Sequence, residues 1–214
     1  MSPAPSGSLG AMSKVTCQVA ISLDGYVAGP EQSEENPIGV GGMRLHQWHI
    51  DPEAQTEVDA EVTARMLDGN GAYVMGRNMF GPIRGPWSGD WRGWWGASPP
   101  YHAPVYVLTH HAREPIEMED GTTFHFVTEG LDAALAAASA AAGSQDVAVA
   151  GGASTINQAL AAGHVDELFL HIVPVVLGAG ERLLDGVGDL ALEPIETLHS
   201  SGATHVRYRV GAAT

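Results

Sequence analysis

The 214-residue chain carries ten Lys+Arg against 25 Asp+Glu, a formal net charge of −15, and nine of its ten cationic residues are arginine. A chain of this size forms one domain, or at most two small ones, around a sizeable core, and its acidity repels phosphate backbones and anionic lipid, which argues against nucleic acid or a membrane surface as partner. No apolar run approaches bilayer-spanning length and the N-terminus lacks the basic and apolar regions of a secretory leader, so a cytoplasmic protein is expected.

Residues 1–12, MSPAPSGSLGAM, hold little to bury and read as a disordered tail ahead of a single domain over residues 13–214. KVTCQVAISLDGYVAG follows as an apolar strand, a turn at Asp24-Gly25 and a short continuation through Tyr26 and Val27. Cys17 is the lone cysteine and packs inside that strand as a small core residue. Residues 29–50 show no clean period and read as a loop. Asp51-Pro52-Glu53 offers an N-cap, proline at the first helical position and acids near the positive end of the dipole, which predicts a helix from there to about Leu67. AYVMG is then a short buried strand.

Four of the five tryptophans fall between Gly81 and Pro104, in GPIRGPWSGDWRGWWGASPPYHA. A loop this long in a compact domain is functional or disordered, and tryptophan argues against disorder. PVYVLT and FHFVT read as strands, LDAALAAASAAAG as a helix whose alanines permit close approach to a sheet, DVAVA as a strand and STINQALAAG as a helix closed by Gly163. DELFLHIVPVVLG is a strand with an irregularity at Pro174, and LEPIETLHS and ATHVRYRV pair as a hairpin around Ser201-Gly202. Apolar strands separated by helices predict an α/β fold with a largely parallel sheet covered on both faces and an antiparallel hairpin at its end.

DVAVA stops at Gly151-Gly152 and restarts as a helix through Ser154 and Thr155. A strand that ends in glycines at a helix N-terminus leaves backbone N–H groups facing outward and lets an anion come close. The junction therefore reads as a phosphate cradle, with the hydroxyls of Ser154 and Thr155 as further donors. The plainer alternative is a tight turn in which one of those hydroxyls caps the helix.

VAISLDGYVAG, YVMGRNMFG, VYVLTHH, VAVAGGASTINQAL and HVDELFLHIVPVVLGAGERLL occur in that order, and over nearly all of residues 14–210 the chain resembles the dihydrofolate reductase-like fold. The last two segments resemble especially the branch containing the RibD C-terminal reductase domain of riboflavin biosynthesis. The resemblance implies an NADPH-dependent reductase, often a homodimer, with a mostly parallel sheet of about eight strands and helices on both faces. The implied substrate is a small planar nitrogen heterocycle of pterin, pyrimidine or flavin type, or an imine-like carbon. Two alternatives stay open: a riboflavin-pathway ribosylaminopyrimidine reductase, and a non-catalytic nucleotide-binding module.

Carried over by position, the backbone around Ala20 and Val27 faces the nicotinamide. Gly76, Arg77, Asn78 and Met79 open a short helix against the cofactor phosphates. Leu108, Thr109 and His110 border the adenosine ribose, and Gly151, Gly152, Ala153, Ser154 and Thr155 hold the pyrophosphate. An arginine fork suits phosphate oxygens, so Arg77 is expected to select NADPH over NADH, with Arg113 as a second candidate because His110 and His111 stand where relatives carry a Ser-Arg type pair.

Asp59 lies at roughly the position of the carboxylate that meets the pterin in dihydrofolate reductases and is the candidate proton donor. Glu57 and Glu61 compete with it, and all three also suit a solvated helix face. Trp87, Trp91, Trp94 and Trp95 offer flat surfaces on which a heterocycle stacks, and Trp48, near His46 and His49, closes the same pocket. The alternative for the tryptophan loop is cover over a sheet edge or a dimer seam. Asp24 is read as a turn residue. The ten histidines show no metal-ligand spacing, and no metal is expected.

Overall fold

A computed structural model describes residues 13–212; the tail expected over residues 1–12 lies outside the described residues. The first strand, β1 (Val15–Ser22), is followed after the Asp24-Gly25 turn by the three-residue β2 (Tyr26–Ala28). Beyond these come β3 (Asn70–Gly76), β4 (Pro104–Leu108), β5 (Ile116–Glu117), β6 (Thr123–Val127), β7 (Asp146–Gly151), β8 (Glu167–Val173) and β9 (Glu181–Arg182). The hairpin strands are β10 (Leu190–His199) and β11 (Thr204–Ala212). Nine strands form one sheet in the order β10-β11-β8-β1-β7-β3-β4-β6-β5, and β2 pairs separately with β9. The inner pairs from β8 across to β6 are all parallel, while β11 and β10 at one edge and β5 at the other run antiparallel. The two-residue β5 is too short to leave a periodic signal in the sequence.

Among the described residues the α-helices are α1 (Gln47–Ile50), α2 (Glu57–Ala64), α3 (Arg77–Phe80), α4 (Leu131–Ala142) and α5 (Ala153–Ala161). Successive residues of a strand face opposite sides, and the core divides accordingly. On one face Cys17, Ile21, Ala72, Val74, Val147, Val149, Leu168 and Leu170 meet α4 and α5, where Ala134, Ala138 and Ala142 keep α4 close. On the other face are two separate clusters. Tyr73, Met75, Val105, Val107 and Phe124 lie beneath the tryptophan loop and α3, and Ala20, Phe169 and Val173 lie beneath Leu45, Trp48 and Val62 of the α1–α2 region. The strand between them, β7, presents only Ala148 and Ala150 on that side, so the sheet is left uncovered there.

The helix expected from Asp51 to about Leu67 is corrected. Asp51 ends α1 in an extended conformation, its carboxylate accepting from the Glu53 N–H at 3.0 Å, and the chain turns before α2 begins at Glu57, with Thr56 as its N-cap. Thr56 and Asp59 form a reciprocal capping box: Thr56 Oγ1 accepts from the Asp59 N–H at 3.3 Å and the Asp59 carboxylate accepts from the Thr56 N–H at 2.9 Å. Two satisfied backbone donors outweigh the generic preference for Asp-Pro at a helix start.

Candidate active site

The gap over β7 is a cleft of about 990 Å³, the size that takes a small organic ligand. Ala20 of β1 and Val27 of β2 line it. So do Gly76, Arg77, Asn78 and Met79 at the β3–α3 junction, and Leu108, Thr109 and His110 at the end of β4. Gly151, Gly152, Ala153, Ser154 and Thr155 line it at the β7–α5 junction. The cleft thus sits along the carboxyl ends of the parallel strands, where open α/β sheets bind ligands.

Backbone geometry shapes the β7–α5 junction. Gly151 has φ +135°, a conformation that side-chain-bearing residues rarely adopt, and the Gly151–Gly152 peptide is cis. Gly152 is the N-cap of α5 and no side chain caps it, so neither Ser154 nor Thr155 plays the capping role that was the plainer reading. A Cβ on Gly152 would meet nothing within 4 Å, which leaves the approach to the first turn of α5 open. Gly76, in the next strand, passes so near α5 that a Cβ there would lie 2.5 Å from Thr155 Oγ1.

Arg77 lies flat against Trp87, its guanidinium carbon 3.7 Å from the ring centroid, and donates through Nη1 to Thr109 Oγ1 at 3.4 Å. Its Nε and Nη2 are buried without a hydrogen-bond partner, and no carboxylate pairs with it among the described residues. Burial first, and then the nearby Arg84 and Arg113, disfavour its charge and pull its pKa down. Asp90 stands near Arg113, but no acid acts on Arg77 itself, which leaves its guanidinium at the cleft wall short of an anion. Arg113 reaches the same platform from another side, 5.0 Å from the Trp87 ring. His110 is exposed, and His111 turns back to bond with Thr109.

The tryptophans divide. Trp48, Trp94 and Trp95 line the cleft, whereas Trp87 and Trp91 do not. Trp87 supports Arg77 and donates to the His111 carbonyl at 2.7 Å, and Trp91 donates to the Phe80 carbonyl at 3.0 Å while packing over Gly81. The expectation of substrate contact is corrected for these two, because each spends its indole N–H on tying the loop to the sheet.

Asp59 is also corrected. It is fully buried, does not line the cleft, and accepts from the Thr56 N–H, Thr56 Oγ1, Ser200 Oγ and His205 Nε2. Burial, the largest single influence, pushes its carboxyl up, but the donated hydrogen bonds outweigh it and the net displacement is downward. An ionised carboxylate with its oxygens occupied holds no proton to give. Glu57 and Glu61 are exposed and also off the cleft wall, as a solvated helix face requires. The α1–α2 end of the cleft is instead built from Gln18, His46, Trp48, His49 and His171. Sequence reasoning passed over Gln18 and His171. The one signal for them was polarity at inward positions of otherwise apolar strands.

Asp24 performs the turn role expected of it, accepting from the Leu177 and Gly178 N–H groups at 3.0 and 2.7 Å. A bond with the Ser22 hydroxyl, chiefly, and those backbone donors hold its carboxyl down to about 2.

The nine-stranded sheet, with its parallel centre and antiparallel C-terminal strands, has the dihydrofolate reductase-like fold. The chain belongs to the RibD C-terminal domain family, whose model matches residues 13–206. Among solved structures, a protein of Shewanella sp. PV-4 described as belonging to riboflavin biosynthesis is similar at 22% identity and TM-score 0.62, over 93% of this chain and 99% of that one. Dihydrofolate reductase of Enterococcus faecalis, in complex with NADP(H), shares 15% identity at TM-score 0.54, over 93% and 97% of the two chains. A diaminohydroxyphosphoribosylaminopyrimidine deaminase/5-amino-6-(5-phosphoribosylamino)uracil reductase of Thermotoga maritima shares 14% identity at TM-score 0.54, over 92% of this chain and 56% of that one. At such identities these likenesses speak to fold. No curated protein matches the chain.

Proposed function

We propose that the chain is an NADPH-dependent reductase acting on a pyrimidine-type heterocycle of the riboflavin pathway. The observation that carries the cofactor is Arg77, a guanidinium laid on Trp87 with buried, unpartnered donors at the wall of the cleft. A 2′-phosphate supplies the acceptors that Arg77 lacks, with Arg84 and Arg113 adding charge. NADPH, when bound, supplies a hydride from its nicotinamide ring.

The chain's own part is binding and orientation. Backbone N–H groups at the uncapped start of α5, opened by Gly151 and Gly152, hold the pyrophosphate. Ala20 and Val27 border the nicotinamide, and their small or branched apolar side chains leave a flat floor against which a ring lies. Trp94 and Trp95 cover the substrate side and exclude water, while Gln18, Trp48 and His171 make the far wall.

The test is turnover. Purified protein with NADPH is offered 5-amino-6-(5-phosphoribosylamino)uracil, a dihydropterin or an oxidised flavin in turn, following loss of nicotinamide absorbance. Consumption with the ribosylaminopyrimidine substrate is the expected outcome. Consumption only with pterin or flavin would move the substrate assignment, and none with any would favour the non-catalytic nucleotide-binding reading.

A further inference from the structure

A buried file of hydrogen bonds runs from the cleft into α2. Gln18 Nε2 lies 2.8 Å from His171 Nε2, His171 Nδ1 lies 2.8 Å from His205 Nδ1, and His205 Nε2 lies 3.1 Å from Asp59 Oδ1. Both histidines and Asp59 are at 0% exposure, and the Trp48 ring covers the two imidazoles at 4.7 and 4.8 Å. Only Gln18 reaches the cleft with a free polar atom.

Proton counting gives this file a direction. An ionised Asp59 only accepts, so His205 Nε2 carries a proton. A neutral His205 then has a bare Nδ1, which obliges His171 Nδ1 to donate to it. His171 Nε2 is bare in turn, and Gln18 must offer its amide NH₂. That leaves the Gln18 carbonyl oxygen, an acceptor, to face the ligand. Burial is the main influence holding both imidazoles neutral, His171 down to about 2 and His205 below its ordinary value despite Asp59. Were His205 doubly protonated, its bond to Asp59 would stand, but the two bonds beyond it would reverse and Gln18 would present N–H instead.

We propose that Gln18 is a specificity-determining residue that accepts a hydrogen bond from a ring N–H of the heterocycle, its amide orientation fixed by His171, His205 and Asp59 as positioning residues. The inference rests on the reductase reading only in taking the ligand at this end of the cleft to be the substrate. An acceptor in that position favours a lactam or imide edge, which carries N–H, and disfavours the same ring alkylated at nitrogen.

The experiment needs neither NADPH nor turnover, so its failure is distinct from failure of the reductase reading. Nitrogen-15 imidazole spectra of the wild-type chain are expected to show His171 as the Nδ1–H tautomer and His205 as the Nε2–H tautomer. Uracil and 1,3-dimethyluracil are then titrated, with binding read by tryptophan fluorescence. Wild type should prefer uracil by about tenfold, the discrimination one such bond gives, and Gln18→Leu should bind the two alike. His205→Gln, which has one donor and one acceptor to keep both bonds, should retain the preference, whereas His205→Phe should lose it. An Nε2–H tautomer at His171 would overturn the proposal, as would equal or absent binding of the two uracils by the wild type.

Discussion

At Gly76 the absence of a side chain is a contact requirement, since a Cβ would stand 2.5 Å from Thr155 Oγ1 where β3 passes the first turn of α5. Gly76→Ala must push α5 aside, with the first turn that we propose holds the pyrophosphate. Cofactor affinity is expected to fall by more than about tenfold, with a stability loss of only about 1–3 kcal/mol, the ordinary cost of overpacking; titration and denaturant unfolding of the same variant separate the two. Asp59 behaves in the opposite way. Asp59→Ala strands the donors of Thr56, Ser200 and His205 in a buried site, and a loss of about 3 kcal/mol is expected in denaturant unfolding. The sequence shows an acid at the right distance along the chain, but its role depends on where α2 starts. That start was written in Thr56 and Asp59 themselves, while Asp51-Pro52 gave the louder generic signal.

Among the elements, β7 does most to make the cleft. Its alternation of Val147 and Val149 against Ala148 and Ala150 fills the α4–α5 face and empties the other. Replacing Ala150 by leucine places a branched side chain where the ligand must lie. Ligand affinity should drop by about tenfold or more while the thermal midpoint holds, because the added methyl groups enter open space rather than a packed core. Strands such as β1, β3, β7 and β8 were legible as apolar runs, and the β7–α5 junction was legible from its glycines. The α1–α2 region was not, since two short helices and a turn produce no sustained period. Nor was the division of the tryptophans, which depends on which indole N–H finds a backbone carbonyl across the loop.

The whole molecule keeps a group of neutral histidines beside the cleft. Burial draws His46 down to about 4 and His171 to about 2, and draws His49 and His205 below the ordinary 6.5. Between those folded values and 6.5 the unfolded chain binds the more protons, so stability is complete above that value and is lost as pH falls below it. By about pH 5 the loss traceable to His171 is about 2 kcal/mol, and the thermal midpoint should decline across that range. His171→Gln should flatten the decline. A midpoint that rises on acidification would place these histidines in the charged state.

The sheet, its parallel centre and its terminal hairpin follow from patterns that a single sequence carries, and so do the strand-to-helix junctions that line the cleft. The substrate end is different, because Gln18, His171 and Asp59 are 153 and 112 residues apart along the chain and meet only through the β1–β8–β11 pairing. The central claim, a cofactor selected by its 2′-phosphate through Arg77, is tested most directly by titrating NADPH and NADH into wild type and Arg77→Ala and following tryptophan quenching. Wild type should bind NADPH at least about tenfold more tightly than NADH, and Arg77→Ala should erase that preference while leaving NADH unchanged, as loss of a charge-assisted contact to one phosphate requires. Equal affinity of the wild type for the two nucleotides, or binding of neither, would contradict it.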